Sequence, residues 1–285
     1  MREETYILKN VKSFEPKHIF ECGQCFRWNK QPDGSYTGVF RNNVINVKKD
    51  KGKIIFTGIC EGNIEEICKE YFDLDTNYEE IKNKLSKIDT YLENSIKYGS
   101  GIRILKQDLW ETIISFIISA NNNIPRIKKI IERISKEYGE KIIFRGQEYY
   151  TFPTPEQMKN VEVQDFRALG LGFRDVRLYE TIQRTLKEQI DLEKIRREKN
   201  IEDLRNSLLQ IPGVGPKVAD CIMLFALKKY EVFPVDVWVR RVISELYFEN
   251  KEQKPKQIQR FAQKQYGSLA GVAQQYLFYW RRDTA

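Results

Sequence analysis

Between two amphipathic runs the chain reads Ile211-Pro212-Gly213-Val214-Gly215-Pro216-Lys217, and this stretch restricts the local fold more than any other. Two glycines let the backbone turn tightly and come close to an anion, with the N–H groups of the next helix start exposed toward it. Pro216 suits the first position of that helix. Lys217 then falls in the first turn, where the helix dipole disfavours positive charge. A lysine so placed keeps a free amine available as a nucleophile, although a phosphate contact or a solvated side chain accounts for the same position. Asp236 follows nineteen residues later, just before Val237-Trp238-Val239. It is a good N-cap carboxylate, and a charge fixed there can also stabilise positive character on a sugar carbon during loss of a base.

The glycine hairpin with its two flanking helices has the helix-hairpin-helix form. Alone it implies sequence-independent contact with duplex DNA through phosphate, and a tight turn between helices with no ligand remains the alternative. The charge balance permits a polyanionic partner without proving one: 48 Lys and Arg against 40 Asp and Glu give +8 over 285 residues. Five cysteines, scattered and odd in number, argue against a disulfide framework. Cys22 and Cys25 form a C-x-x-C with no second pair to complete a metal site. His18 is the single histidine, which excludes histidine triads and histidine-rich metal sites. No apolar leader opens the chain and no run is long enough to cross a membrane, so a cytoplasmic protein is expected, nucleoid-associated in a prokaryote.

The expected fold class is α+β. Short β-type runs with turns between them fill residues 1 to about 60: Tyr6-Leu8, Gln24-Trp28, Ser35-Phe40, Val44-Val47 and Ile54-Thr57. From Asn63 the spacing becomes helical. Helices are expected over Asn77-Ile88, Asp108-Ala120, Ile124-Tyr138, Thr154-Val161, Val163-Ala168, Arg174-Glu188, Ile201-Gln210, Pro216-Leu227, Val237-Leu246, Lys254-Tyr266 and Ala270-Arg282. Leu109-Ile118 is apolar nearly all round, as a central helix is. The composition shift around Gly99-Ser100-Gly101 divides the chain into an antiparallel-sheet domain with helices, 1–98, and an α-helical region, 99–285. The second carries the hairpin at about 201–228 and a last helix at the C terminus.

Pro212-Gly213-Val214-Gly215-Pro216-Lys217-Val218-Ala219-Asp220 with Pro234-Val235-Asp236 resembles the helix-hairpin-helix-Gly/Pro-Asp DNA glycosylases, in particular their 8-oxoguanine branch. Gly23-Gln24-Cys25-Phe26-Arg27-Trp28, Tyr71-Phe72-Asp73-Leu74-Asp75, Gly101 to Asp108, Ser119 to Arg126 and Leu169 to Arg174 resemble it in the same order. The resemblance implies that Lys217 attacks C1′ of a flipped-out nucleotide, forms a Schiff base, and leads to β-elimination. Asp236 would stabilise the developing charge. It further implies that the Gly23 carbonyl accepts from N7-H of 8-oxoguanine, that Gln274 meets the Watson-Crick edge, and that Phe278 and Cys221 close the two faces of the base. Asn121, Arg126 and Arg174 would read the orphaned cytosine, with Phe173 as the wedge. Gly213, Val214 and Gly215 would hold phosphate.

Three departures and two rivals complete the reading. Trp238 stands where some relatives carry a phosphate-contacting histidine, Tyr279-Trp280-Arg281-Arg282 lacks an acidic residue found in others, and no clustered cysteines imply an iron-sulfur centre. Gln24 and Phe26 read equally well as strand residues without a role. The expectation is a bifunctional glycosylase and abasic-site lyase acting as a monomer on double-stranded DNA with 8-oxoguanine opposite cytosine, without cofactor, metal or membrane. A non-catalytic DNA-binding module and a glycosylase for another oxidised purine are the rivals.

Overall fold

The computed structural model describes residues 2–284. Five strands, β1 (Glu3–Leu8), β2 (Trp28–Lys30), β3 (Tyr36–Phe40), β4 (Asn43–Asp50) and β5 (Lys53–Ile59), form an antiparallel sheet in the order β1-β5-β4-β3-β2. Aromatic rings explain its inner layer. Trp28 pairs with Gly38 across β2 and β3, and a Cβ on Gly38 would lie 2.3 Å from the indole. Glycine therefore lets the ring lie flat over the neighbouring strand. Phe20 stacks on Trp28 at 4.0 Å and Phe40 on Tyr71 at 3.7 Å, which seats helix Ile64–Tyr71 on the sheet. Asn63 caps that helix, accepting from the N–H groups of Glu65 and Glu66.

The larger core is helical. Leu109–Ser119 runs through it with nine of its eleven residues buried, matching the all-round apolar reading. An extended segment, Gly101 to Gln107, joins this body to the sheet. Arg103, buried within the segment, donates to the carbonyls of Phe72 and Ser13 at 3.0 Å each, and Gln107 N–H donates to Phe225 O. Cys22, Phe26 and Leu92 share one buried cluster with the helices after residue 108. Among the described residues no helix is long and apolar enough to cross a membrane.

Several expected elements differ. Gln24 to Phe26 is not strand; the chain turns there and pairs only from Trp28, because Gln24 is consumed by side-chain contacts described below. Thr154 to Val161 holds only a 3-10 turn, Glu156–Met158, opened by a reciprocal cap between Thr154 and Gln157. A hairpin, β6 (Lys141–Phe144) and β7 (Gln147–Tyr150), was not anticipated. Arg145 and Gly146, at φ of 52° and 75°, make its two-residue turn. Helices Pro16–Glu21, Thr90–Tyr98 and Leu192–Arg197 were also not anticipated.

Arg27 and Lys128 tie this hairpin and the sheet to the helical body. Arg27 is buried, donates to the Tyr150 carbonyl and pairs with Glu132 at 3.3 Å, while Lys128 donates to Trp28 O at 2.6 Å. Burial pushes the nearby Glu111 carboxyl up to about 7, against the pull of Arg27 and with help from Asp108 and Glu132. Its value in the unfolded chain is near 4.5. The fold therefore holds the proton between these values: stability from Glu111 is complete below the lower one and is lost as pH rises through the upper one. Glu111→Gln should unfold at a higher temperature than the parent at pH 8, by the equivalent of roughly 1–3 kcal/mol, and match it near pH 4. Equal unfolding temperatures across that range would contradict this.

Candidate active site

The hairpin is built as its sequence requires. Helix Ile201–Leu209 ends before the turn and helix Pro216–Phe225 begins after it, with Gly215 at the N-cap. Gly213 has φ of +84°, and a Cβ there would lie 2.9 Å from Arg177 Cδ and 3.2 Å from Ile117 Cγ2. A side chain there would displace Arg177 and crowd Ile117 of the central helix, on a backbone whose positive φ already favours glycine. Nothing lies within 4 Å of a Cβ built on Gly215, so that glycine faces open space. The turn borders a cleft that Arg177, Arg184, Lys217 and Ala120 also line. Polar N–H groups at a helix start, facing arginine and lysine, make an anion-receptive surface.

A buried ion pair locks the two hairpin helices. Arg205, on the first, donates to Asp220, on the second, at 2.9 Å, and Gln259 donates to the other carboxylate oxygen at 2.7 Å. Burial pushes the Asp220 carboxyl up to about 6, with Arg205 and Gln259 opposing the rise.

Lys217 is half-buried and its ammonium lies 5.2 Å from the centroid of the Phe116 ring. It borders both the hairpin cleft and a second, narrower slot. That slot brings together Gly23, Lys217, Cys221, Asp236, Gln274 and Phe278, which come from well-separated parts of the chain. Asp236 caps helix Val237–Tyr247, accepting from Val239 N–H at 2.7 Å. Burial pushes the Cys221 thiol up to about 11, while Lys217 lowers it and Asp220 and Asp236 raise it. The thiol is thus a small apolar wall.

Gly23 follows helix Pro16–Glu21 with φ of +86°. Gln24, fully buried, fixes it: its Nε2 donates to Ile19 O at 2.9 Å and Arg103 O at 2.8 Å, and its Oε1 accepts from Leu105 N–H at 2.9 Å. Gln107 Nε2 donates to Gln24 O at 2.6 Å. Opposite Gly23 stands Phe278, whose Cε1 would be 3.2 Å from a Cβ on the glycine. Arg282 spans the two walls, donating to Glu21 O at 2.7 Å with its guanidinium 5.7 Å from the Phe278 ring centroid. The slot encloses about 50 Å³, less than a purine needs. A base therefore enters only if Phe278 swings away from Gly23.

The remaining expected residues lie on a patch beside the hairpin cleft. Asn121, at φ of +50°, ends the turn after Leu109–Ser119. Arg174, only 2% exposed, donates to the carbonyls of Ala120 at 2.8 Å, Leu171 at 3.1 Å and Asn121 at 2.7 Å. Its donors hold the Asn121 loop in shape. Arg126 is exposed and donates to Gly170 O at 3.1 Å. Phe173 is 55% exposed, with the Arg174 and Arg177 guanidinium carbons 4.2 and 5.4 Å from its ring centroid. Trp238 is half-buried in the first turn after Asp236.

Phe116, Gln24 and Gln107 carry parts of this geometry that sequence reasoning did not assign. Phe116 looked like any core residue in an apolar helix. Gln24 and Gln107 lay inside the motifs that carried the resemblance, but their contacts are tertiary. Among the described residues no group of three or more His, Cys, Asp or Glu is placed to hold a metal ion.

Residues 6–113 match the family model of the 8-oxoguanine DNA glycosylase N-terminal domain, and residues 114–267 that of the HhH-GPD superfamily base excision DNA repair proteins. A probable N-glycosylase/DNA lyase of Methanothermobacter thermautotrophicus is 32% identical over 243 residues, covering 78% of this chain and 76% of that protein. The N-glycosylase/DNA lyase of Saccharomyces cerevisiae is 30% identical over 256 residues, covering 81% and 67%. Among solved structures, the Clostridium acetobutylicum 8-oxoguanine glycosylase/lyase bound to double-stranded DNA with cytosine opposite 8-oxoguanine superposes with a TM-score of 0.94 at 43% identity, covering 99% of this chain and 97% of that one. A 3-methyladenine DNA glycosylase of Archaeoglobus fulgidus, at 23% identity and a TM-score of 0.81, shares the fold. The chain belongs to the HhH-GPD superfamily of base excision DNA repair proteins, in the branch that carries the 8-oxoguanine DNA glycosylase N-terminal domain.

Proposed function

We propose that this protein is a bifunctional DNA glycosylase and abasic-site lyase that removes 8-oxoguanine from duplex DNA. The observation that carries the reading is the position of Lys217, which borders both the anion-receptive hairpin cleft and the slot containing Asp236, Gln274, Phe278 and Gly23. A phosphate-binding surface and a narrow slot that a base can enter when Phe278 moves aside meet at one amine, which suits a nucleotide rotated out of the duplex. A module that only bound phosphate would need no such slot.

In this mechanism the hairpin and the exposed Arg126 and Phe173, beside the loop that buried Arg174 holds in shape, grip the duplex, and Phe173 fills the gap left by the extruded base. The base lies between Phe278 and Cys221, with Gln274 at its Watson-Crick edge and the Gly23 carbonyl toward N7-H. The Lys217 amine attacks C1′; the C1′–N9 bond breaks, its electrons leave with the base, and the proton shed by the attacking nitrogen passes to the base. Asp236 offsets the positive charge that builds on the sugar. Opening of the sugar ring gives a Schiff base between Lys217 and C1′. Loss of a C2′ proton then expels the 3′ phosphate, and water releases the enzyme.

Strand cleavage of duplexes with 8-oxoguanine opposite each of the four bases tests the reading. Cleavage should be fastest opposite cytosine and should fall at least about a hundredfold in Lys217→Gln, which keeps length but has no nucleophilic amine. Absence of cleavage by the parent on every duplex would sink the proposal.

Asp236→Asn separates charge from helix capping, since asparagine caps equally well. It should retain the parent's unfolding temperature within a degree or so, bind lesion DNA, and lose on the order of 10²–10³ in the single-turnover rate. A variant with an unchanged rate would confine Asp236 to capping.

A further inference from the structure

Gln275 stands beside Gln274 on the helix Ala270–Thr284, borders the same slot, and is only 3% exposed. Its amide nitrogen donates to Gln274 Oε1 at 3.4 Å. Its own Oε1 is buried without any hydrogen-bond partner. The other buried side-chain atoms in that condition among the described residues belong to Arg27, Ser115, Ser135, Tyr266 and Arg281, none of which borders the slot.

An orphaned buried acceptor is unfavourable by roughly 1–3 kcal/mol, so it persists where a ligand later supplies the donor. The paired amides define which donor. With its oxygen engaged by Gln275, Gln274 has its N–H left to offer a base, and Gln275, lining the same slot, has a free carbonyl. A donor next to an acceptor complements a guanine-type edge, which has O6 as acceptor and N1–H with the 2-amino group as donors. An adenine-type edge has the opposite order.

We infer that Gln275 is a second base-recognition residue, whose carbonyl accepts from the 2-amino side of the oxidised purine. The inference rests on the reading of the slot as an 8-oxoguanine pocket and deepens it. Gln274 meets O6 with its N–H; Gln275 supplies the acceptor and so adds selection for the exocyclic amine. A buried acceptor discriminates strongly against an analogue lacking the matching donor, because it is then left unpaired.

The test compares single-turnover excision, at subsaturating enzyme, of 8-oxoguanine and of 8-oxohypoxanthine, which lacks the 2-amino group, each opposite cytosine. Parent and Gln275→Met are run side by side, methionine being of similar volume without the amide. The parent should favour 8-oxoguanine by on the order of tenfold, and Gln275→Met should bring the two rates to within about twofold. Because the substitution removes an orphaned polar group, the unfolding temperature should not fall. The same preference in parent and variant overturns the inference and leaves the proposed function standing. A lower unfolding temperature with an equal loss on both bases would make Gln275 merely structural and also overturns it. A parent that excises neither base defeats both readings together.

Discussion

The ion pair between Arg205 and Asp220 is the contact on which the slot depends. It joins the two helices of the hairpin where Asp220 is completely buried and Arg205 only partly so. The Gln259 donor satisfies the second carboxylate oxygen. Burial still holds the Asp220 carboxyl up to about 6, so the partners on both oxygens fix geometry rather than fully repay the desolvation of the charge. The pair therefore resists sliding of one helix along the other, and such a slide would carry Lys217 away from Phe116 and Asp236. Gly213 supplies the complementary restraint by letting the turn pack on Ile117 and Arg177. Together they turn a flexible amine into one with a defined place.

The second restraint is the seam between sheet and helices. Gly23 is useful only if its backbone stays opposite Phe278, and a glycine has little means of holding itself. Gln24, Arg103, Leu105 and Gln107 do this through buried hydrogen bonds. Arg282 then links the turn before Gly23 to the helix bearing Phe278. The free slot is narrow, with Phe278 set against Gly23, so a base enters by displacing the Phe278 wall while the Gly23 wall stays fixed. A rigid wall facing a movable one lets an extruded base enter without losing the geometry that reads it.

What was legible in the sequence follows a physical division. The hairpin, the Asp236 cap and the central helix are local: turn residues, an N-cap and apolar periodicity state them directly, and the structure forms each where expected. Gly23, Gln274, Phe278 and Cys221 were reached only through family resemblance, because nothing local distinguishes them from turn and core residues. Gln24 was open to a strand reading, since β-type neighbours hide a side chain whose partners lie some eighty residues away. The hairpin at 141–150 was missed because Arg145-Gly146 is a less familiar turn pair than Asn-Gly. Gln275 carries no sequence signal; only its unsatisfied oxygen marks it.

The chemistry of the site comes down to one covalent bond, between Lys217 and C1′. Borohydride added during reaction with an 8-oxoguanine duplex reduces the Schiff base to a stable amine, and digestion followed by mass spectrometry locates it. The reduced sugar remnant is expected on the peptide containing Lys217. A remnant found on another lysine or on the N-terminal amine, with Lys217 unmodified, would contradict the account.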